Sequence, residues 1–447
     1  MGRTGCDTAR VRNSGGTRWA SVVRLGAPGS RVTRLELFFD LVFVFAFLTV
    51  TGLTASRPSW VNLFHALLVL ALLWWCWQGF AGLGNLVRAD QGVLPVVGFV
   101  IGAAAFLLVL SIPGAFVDQP GGLNGPLVFA VCYFLVRAPQ LAVFGWVARS
   151  DPAQFRLWLR LAALPLAATA LLVAAGQVPP RVTSGALANA IQLSLWTAAV
   201  LVEYVAGIIL GGSYWVVTSA GHWAERHALM VLLALGESII ALGLGPKAIS
   251  ALPLTGPVMT AAVLGVAIAA VLWWAYFDTL APGVEQRLHA AREPGARARL
   301  ARNAYTYLHL PMVAGIIFFA LGLKDLLAES ASSSTPSWGE PLGAFWVTVL
   351  YGGVAVYLLS LAACALLVLH AVRWPLLGAT VVIVAVAPAA AGLPELVAVV
   401  LLAALCVAAI VAETLREDGR RRQIRQLALE EQIAAEMEQT RWRQHHL

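Results

Sequence analysis

Glu36 and Asp40 stand four residues apart in Arg34-Leu-Glu-Leu-Phe-Phe-Asp-Leu-Val-Phe-Val-Phe45, where a long apolar run begins. On a helix that spacing puts both carboxylates on one face. Two chemistries follow. The start of a helix favours negative charge, so both acids can serve as helix-start residues partnered by Arg34 or Arg31. Alternatively, carboxylates this close to an apolar run hold a proton or a cation, a role better suited to Asp40, one turn deeper. Glu237, in Leu235-Gly-Glu-Ser-Ile-Ile240, poses the question more sharply because it falls near the middle of an apolar run. A carboxylate at the centre of a bilayer costs about 2.5–3.5 kcal/mol on insertion scales, so it must be protonated, paired or put to use. Arg137 is the basic residue deepest within an apolar run, and the sequence therefore suggests a Glu237–Arg137 pair. That pair is either interhelical glue or a working site.

The remaining polar positions divide between anchoring and chemistry. Asp278 follows Trp273-Trp274, and its spacing from Trp274 sets carboxylate and indole on one face. Tryptophans at the end of a span usually form an interfacial belt, while the alternative is an aromatic box for an organic solute. His309, preceded by Asn303, Tyr305 and Tyr307, is a candidate proton relay or a satisfied buried histidine. Glu203 and Glu413 read as headgroup-level anchors. Glu225 and His227, with Glu36, Asp40 and Asp278, form the group from which acid–base chemistry at a membrane surface would have to be built. The segment His222-Trp-Ala-Glu-Arg-His227 has the spacing of no zinc-protease motif, so no metal is expected. No phosphate-binding loop, nucleophile elbow or dinucleotide fingerprint points to a cofactor.

The elements that must carry these residues are membrane helices. Of 447 residues, 60% are hydrophobic and 12% charged, against about 25% charged in soluble domains, and the mean hydropathy is +0.79. The net charge of +7 is spread between apolar runs, which argues against nucleic acid as a partner and for the lipid bilayer. Cys76, Cys132, Cys364 and Cys406 lie in apolar runs as small hydrophobes, and no CxxC pair occurs. Runs long enough to span a bilayer fall at 36–54, 61–81, 92–111, 126–147, 157–175, 187–210, 226–244, 256–278, 304–325, 342–369, 375–391 and 394–412. The last two, joined near Gly392-Leu-Pro394, can also be read as a re-entrant pair, so the count is about twelve. With the N-terminus inside, most of the 30 Arg and Lys residues fall in inside segments, while Arg57, Arg181, Lys247 and Lys324 fall in outside loops. This bias places both termini in the cytoplasm.

The two halves echo each other in order. Glu36 and Glu225 each open a half, Trp74-Trp75 matches Trp273-Trp274, and Leu94-Pro-Val-Val97 matches Leu310-Pro-Met-Val313. Arg160 before Leu164-Pro-Leu166 resembles Arg373 before Pro375-Leu-Leu377, and the run ending at Glu203 resembles the run ending at Glu413. The expected fold class is therefore an all-α polytopic integral membrane protein of about twelve transmembrane helices in two parallel six-helix repeats. Its boundaries are a basic cytoplasmic leader over 1–32, repeats over 33–213 and 214–412, and a charged helical cytoplasmic tail over 413–447.

Three segments together resemble the bacterial low temperature requirement A (LtrA) proteins. They are Arg34–Phe45, then Ala224-Glu-Arg-His227 with Leu235-Gly-Glu-Ser-Ile-Ile240, then Trp273-Trp-Ala-Tyr-Phe-Asp278. The resemblance covers about residues 31–412 and implies a multi-pass membrane protein of the bacterial inner membrane, without implying a substrate. The leading expectation is an ion- or proton-coupled transporter of an unidentified small solute, and not an enzyme. Glu237 would be its coupling residue, Asp40 and Glu36 its cytoplasmic entrance, and Trp273, Trp274 and Asp278 an inner vestibule. The competing expectations are a membrane-embedded enzyme or lipid-handling protein at the cytoplasmic face, and a structural or sensory membrane protein. The sequence indicates no oligomeric state.

Overall fold

The computed structural model describes residues 25–26, 29–118, 121–209, 217–243, 255–330, 340–416 and 418–446. Among these, the regular structure is helical throughout. Helix α1 (Arg34–Ala55) starts with a reciprocal cap, in which Thr33 accepts from the Glu36 N–H and the Glu36 side chain accepts from the Thr33 N–H. Glu36 is thus a helix-start residue, as one sequence reading held. Ser59 caps α2 (Trp60–Leu86), and Pro95 sits in the first turn of α3 (Leu94–Leu110). Asn124 caps α4 (Gly125–Ala148), and Asp151 caps α5 (Pro152–Gln177). The short α6 (Pro179–Val182) leads into α7 (Gly185–Ile209).

The second set begins with α8 (Ala220–Gly243) and α9 (Gly256–Phe277). Two short polar helices follow, α10 (Leu280–Ala290) and α11 (Pro294–Ala301), and then a wide π-helical turn over Arg302–Tyr307. Next come α12 (His309–Ser330) and α13 (Gly343–Cys364), and after a second π-helical turn α14 (Trp374–Ala390) and α15 (Glu395–Arg416). The tail is one helix, α16 (Asp418–His446). Nine helical segments among the described residues are long and apolar enough to cross a membrane, and α3 and α14 are shorter apolar helices. The protein is therefore an all-α multi-pass membrane protein.

Packing follows two parallel lists. In the first set α1 packs on α2 and α3, α3 on α4, α4 on α5, α5 on α7, and α7 returns to α2. In the second, α8 packs on α9 and α12, α12 on α13, α13 on α14, α14 on α15, and α15 returns to α9. The sets meet where α1 lies against α8 and α12. The most extensive contact joins α12 to α13, where a Cβ on Gly353 would stand 2.7 Å from the Gly315 carbonyl oxygen. Without a hydrophobic force between helices in lipid, such backbone approach is how they gain packing energy. Apolar side chains point outward on α3 and α14, including Val96, Phe99, Val381 and Val384, as lipid-facing surfaces require.

One end of the bundle collects the polar segments. The Val32 N–H donates to Glu225 at the start of α8, and Glu285 of α10 lies beside Gly221. Asp278 pairs there with Arg421 of α16. The start of α1, the start of α8, α10 and the first turns of α16 therefore share one end.

Candidate functional site

Helices α1 and α8 run side by side in the same direction and in constant register. Glu36 meets His222, Asp40 meets Arg226, and Thr51 meets Glu237, each pair separated by 186 positions. The dyad Glu36/Asp40 and the dyad His222/Arg226 share the four-residue spacing that keeps two side chains on one helix face. Acid is thereby matched to base along a single seam.

At the polar end of this seam the Glu36 Oε1 lies 2.9 Å from the His222 Nε2, and its Oε2 accepts from the Thr33 hydroxyl at 2.8 Å. Arg226 makes a two-pronged contact with Asp40, its Nη2 donating to Oδ1 at 2.8 Å while Nη1 donates to Oδ2. Trp77 of α2 adds a third donor to Asp40, at 2.9 Å. Glu36, Asp40, His222 and Arg226 are all essentially buried. Gly84 of α2 is what admits Glu36, since a Cβ there would stand 1.9 Å from the Glu36 Oε1.

Hydrogen-bond partners fix the histidine tautomers. The Asn85 Oδ1 accepts the Thr218 N–H at 2.7 Å, so its Nδ2 must be the atom facing the His222 Nδ1. That leaves the His222 Nδ1 as acceptor and its Nε2 as donor to Glu36, a neutral imidazole. Among the described residues this level therefore holds two carboxylates and one guanidinium, one negative charge in excess. His227 directly follows Arg226 on α8, its Nδ1 donating to the Trp223 carbonyl and its Nε2 accepting from Gln78 at 3.0 Å. The His227 and His309 rings are 5.4 Å apart, and His309 is itself held between the Ala304 carbonyl and the Tyr276 hydroxyl.

Eleven residues further along both helices, about 16 Å away, lies the second level. The Lys324 Nζ of α12 is 2.8 Å from the Glu237 Oε1, and the Thr51 hydroxyl donates to the same oxygen at 3.1 Å. The Glu237 Oε2 is buried with no hydrogen-bond partner among the described residues, and so is the Ser238 hydroxyl oxygen. Such unpaired polar atoms are costly unless something visits them.

Several expectations need correction. Arg137 does not reach Glu237. It donates to Gln140 at 2.9 Å and lies 3.5 Å from Glu203, which also accepts from Tyr133. Tyr133, Arg137 and Gln140 share one face of α4, and that face turns toward Cys76 of α2 and Glu203 of α7. Glu203 and Glu413 are consequently not headgroup anchors: both are buried, and Glu413 pairs with Arg373. Lys324 does not belong to an outside loop, because α12 continues to Ser330 and turns Lys324 inward onto Glu237.

Glu36 and Asp40 pair not with Arg31 or Arg34 but with residues of α8. Glu225 is exposed and turned toward Val32, and Asp278 is bound to Arg421, so neither joins the buried seam. Trp273 and Trp274 are 42% and 40% exposed, which suits a belt better than a closed box. Residues missed by the sequence reading are His222, Arg226, Lys324, Thr51 and Gln78. A signal for the first two existed in the matching dyad spacing; none existed for Lys324.

Residues 31–411 match the family described as bacterial low temperature requirement A protein (LtrA). An uncharacterized protein of Rhizobium meliloti (strain 1021) is 28% identical over 309 residues, covering 66% of this chain and 69% of the relative. No solved structure matches the chain.

Proposed function

The chain belongs to the bacterial low temperature requirement A family, and we propose that it is an ion- or proton-coupled transporter of a small solute, working through the α1–α8 seam. The observation that carries this reading is the register of those two helices. They are in contact and parallel, as they must be if α1, α2, α3, α4, α5 and α7 are six successive crossings that return the chain to the side where α1 began. Together with the repeated packing order, this supports twelve spans in two parallel six-helix repeats, with α3, α8 and α14 completing the nine longer ones. Basic residues on α10 and α11 and in the tail support an orientation in a cell membrane with the shared polar end, and both termini, on the cytoplasmic side.

The chemistry follows from charge. At the inner level, one excess negative charge among Glu36, Asp40 and Arg226 calls for a proton or a monovalent cation. At the outer level, Glu237 can exchange Lys324 for a proton or cation, using its unpartnered Oε2. Both levels lie on the boundary between the two sets, so a change in charge at either alters the energy of one set against the other. Coupling requires that the ion bind the two access states with different affinity. The test is proton movement into proteoliposomes carrying a pH-reporting dye, under an imposed proton gradient and with a panel of solutes. Glu237→Gln is expected to abolish the pH dependence of solute-stimulated movement while the protein remains folded. Retention of that dependence would remove Glu237 from the mechanism.

A second reading has its own support, namely that Asp40, Glu203, Glu237 and Glu413 each face a cation. Under it the pairs are interhelical glue in a structural or sensory protein. Joint replacement Glu237→Leu with Lys324→Met then leaves cellular function intact, whereas under transport the doubly changed protein folds and is inactive.

A further inference from the structure

A cavity of about 250 Å³ lies beside the seam, among α2, α4, α5 and α7 and closed on one side by Trp223 of α8. Its charged lining is the Arg137–Glu203 pair, which cancels, and Arg137 is already engaged by Gln140. A ligand bearing a full charge would enter a low-dielectric space with no counter-ion left to meet it. The cavity therefore suits a neutral molecule.

Its walls say more. Trp75, Phe144, Trp158 and Trp223 present ring surfaces, and Trp158 is fixed by donating to the Leu141 carbonyl at 2.9 Å. Leu157, Leu161 and Leu164 of α5 complete an apolar side. Rings offset-stack or meet edge to face with other rings, so a planar aromatic molecule gains most here.

The polar requirement comes from Gln78, which lines the cavity and is 3% exposed. Its Nε2 must be the atom turned to His227, because the His227 Nδ1 proton is committed to the Trp223 carbonyl and its Nε2 can only accept. The amide cannot flip without setting two lone pairs against each other. Its Oε1 is then a buried acceptor with no partner among the described residues. A ligand with one N–H or O–H would satisfy it, and a site built around such an acceptor discriminates against analogues that lack the donor.

We propose that this cavity binds a small neutral aromatic molecule through an N–H or O–H donated to the Gln78 Oε1. Calling that molecule the cargo rests on the transporter reading; the binding itself does not. Gln78 would also link the two sites, since it holds His227 with one end of its amide and the ligand with the other, and neighbouring Trp77 holds Asp40.

The probe is indole, with benzothiophene as a ring of similar shape that lacks the donor, titrated by calorimetry into the purified full chain in detergent. Saturable binding of indole, at least about tenfold tighter than benzothiophene, is the expected result. Gly82→Leu, which grows a side chain toward Phe144 and Trp223 from a position where a Cβ has ordinary clearance, is expected to weaken indole at least tenfold. Gln78→Met is expected to remove the preference for indole over benzothiophene. Equal affinity for the two rings in the unaltered protein would overturn the donor assignment. Non-saturable uptake, indifference to Gly82→Leu, or a retained lipid chain that blocks indole would overturn the site. No gradient is used, so failure of proton-coupled movement in proteoliposomes leaves this result standing, and failure of binding leaves that assay standing.

Discussion

At the residue scale the protein sets the buried carboxylates Asp40, Glu203, Glu237 and Glu413 each against a cation from a distant part of the chain. Removing one member of a buried pair leaves an uncompensated charge, at a cost of about 3–5 kcal/mol, while removing both is often close to neutral. Lys324→Met alone should therefore lower thermal stability in detergent more than the double change Glu237→Leu with Lys324→Met. A double-mutant cycle on unfolding temperature reads this directly, and additive single effects would mean that the 2.8 Å contact carries no coupling. The inner level differs because its charges do not cancel. Its stability is expected to respond to the monovalent cation present, whereas the outer pair is already neutral. The Glu36–Asp40 spacing was visible in the sequence, but the bases that answer it lie 186 positions away, beyond any local pattern.

At the scale of elements, two contacts organise the bundle. The α12–α13 crossing depends on Gly315 and Gly353, whose backbones touch. Gly353→Ala forces a Cβ into backbone that cannot rotate away, and an overpacking cost of about 1–3 kcal/mol is expected, read as a lower unfolding temperature. Thr348 offers a control on the same helix, because it is exposed and Thr348→Ala should change little. The second contact is the docking of α16. The Arg421 Nε stands 2.6 Å from Asp278, and Gln286 reaches the Ile424 carbonyl at 3.3 Å. Arg421→Glu places two acids together, so hydrogen exchange should quicken over 418–425 with little change beyond about 430, where the helix is already exposed. Sequence reading foresaw a helical tail here but not its anchor, since Asp278 was assigned to the tryptophans beside it.

At the scale of the whole molecule, the parallel course of α1 and α8 constrains how the chain crosses the membrane. Single cysteines at Ser56, between α1 and α2, and at Ser150, between α4 and α5, are expected on opposite faces. Both positions are exposed, Cys76, Cys132, Cys364 and Cys406 are buried, and the fifth cysteine, Cys6, is replaced by serine in both variants. In intact cells an impermeant maleimide should label Ser56→Cys, and label Ser150→Cys only after lysis. Labelling of both from one side would overturn the proposed orientation. The same layout separates the two proposed sites: a charged seam on the boundary between the helix sets, and a cavity walled mainly by the first set, with Trp223 of α8. Gln78 and Trp77, adjacent on α2, face one of each.

The sequence by itself determined the membrane class, the position of most apolar helices, and the unusual standing of Glu36, Asp40 and Glu237. Hydrophobicity over about twenty residues is a local property, and the cost of burying charge is large enough to mark each acid. Only the tertiary structure decided who partners whom. Arg137 and Lys324 were misassigned for one reason: depth along a helix can be read from sequence, but the direction in which a helix face turns is set by its neighbours. Rotation of α4 sends Arg137 to Glu203, and the added length of α12 brings Lys324 to Glu237. The register of α1 on α8 converts two scattered polar segments into a single charged seam.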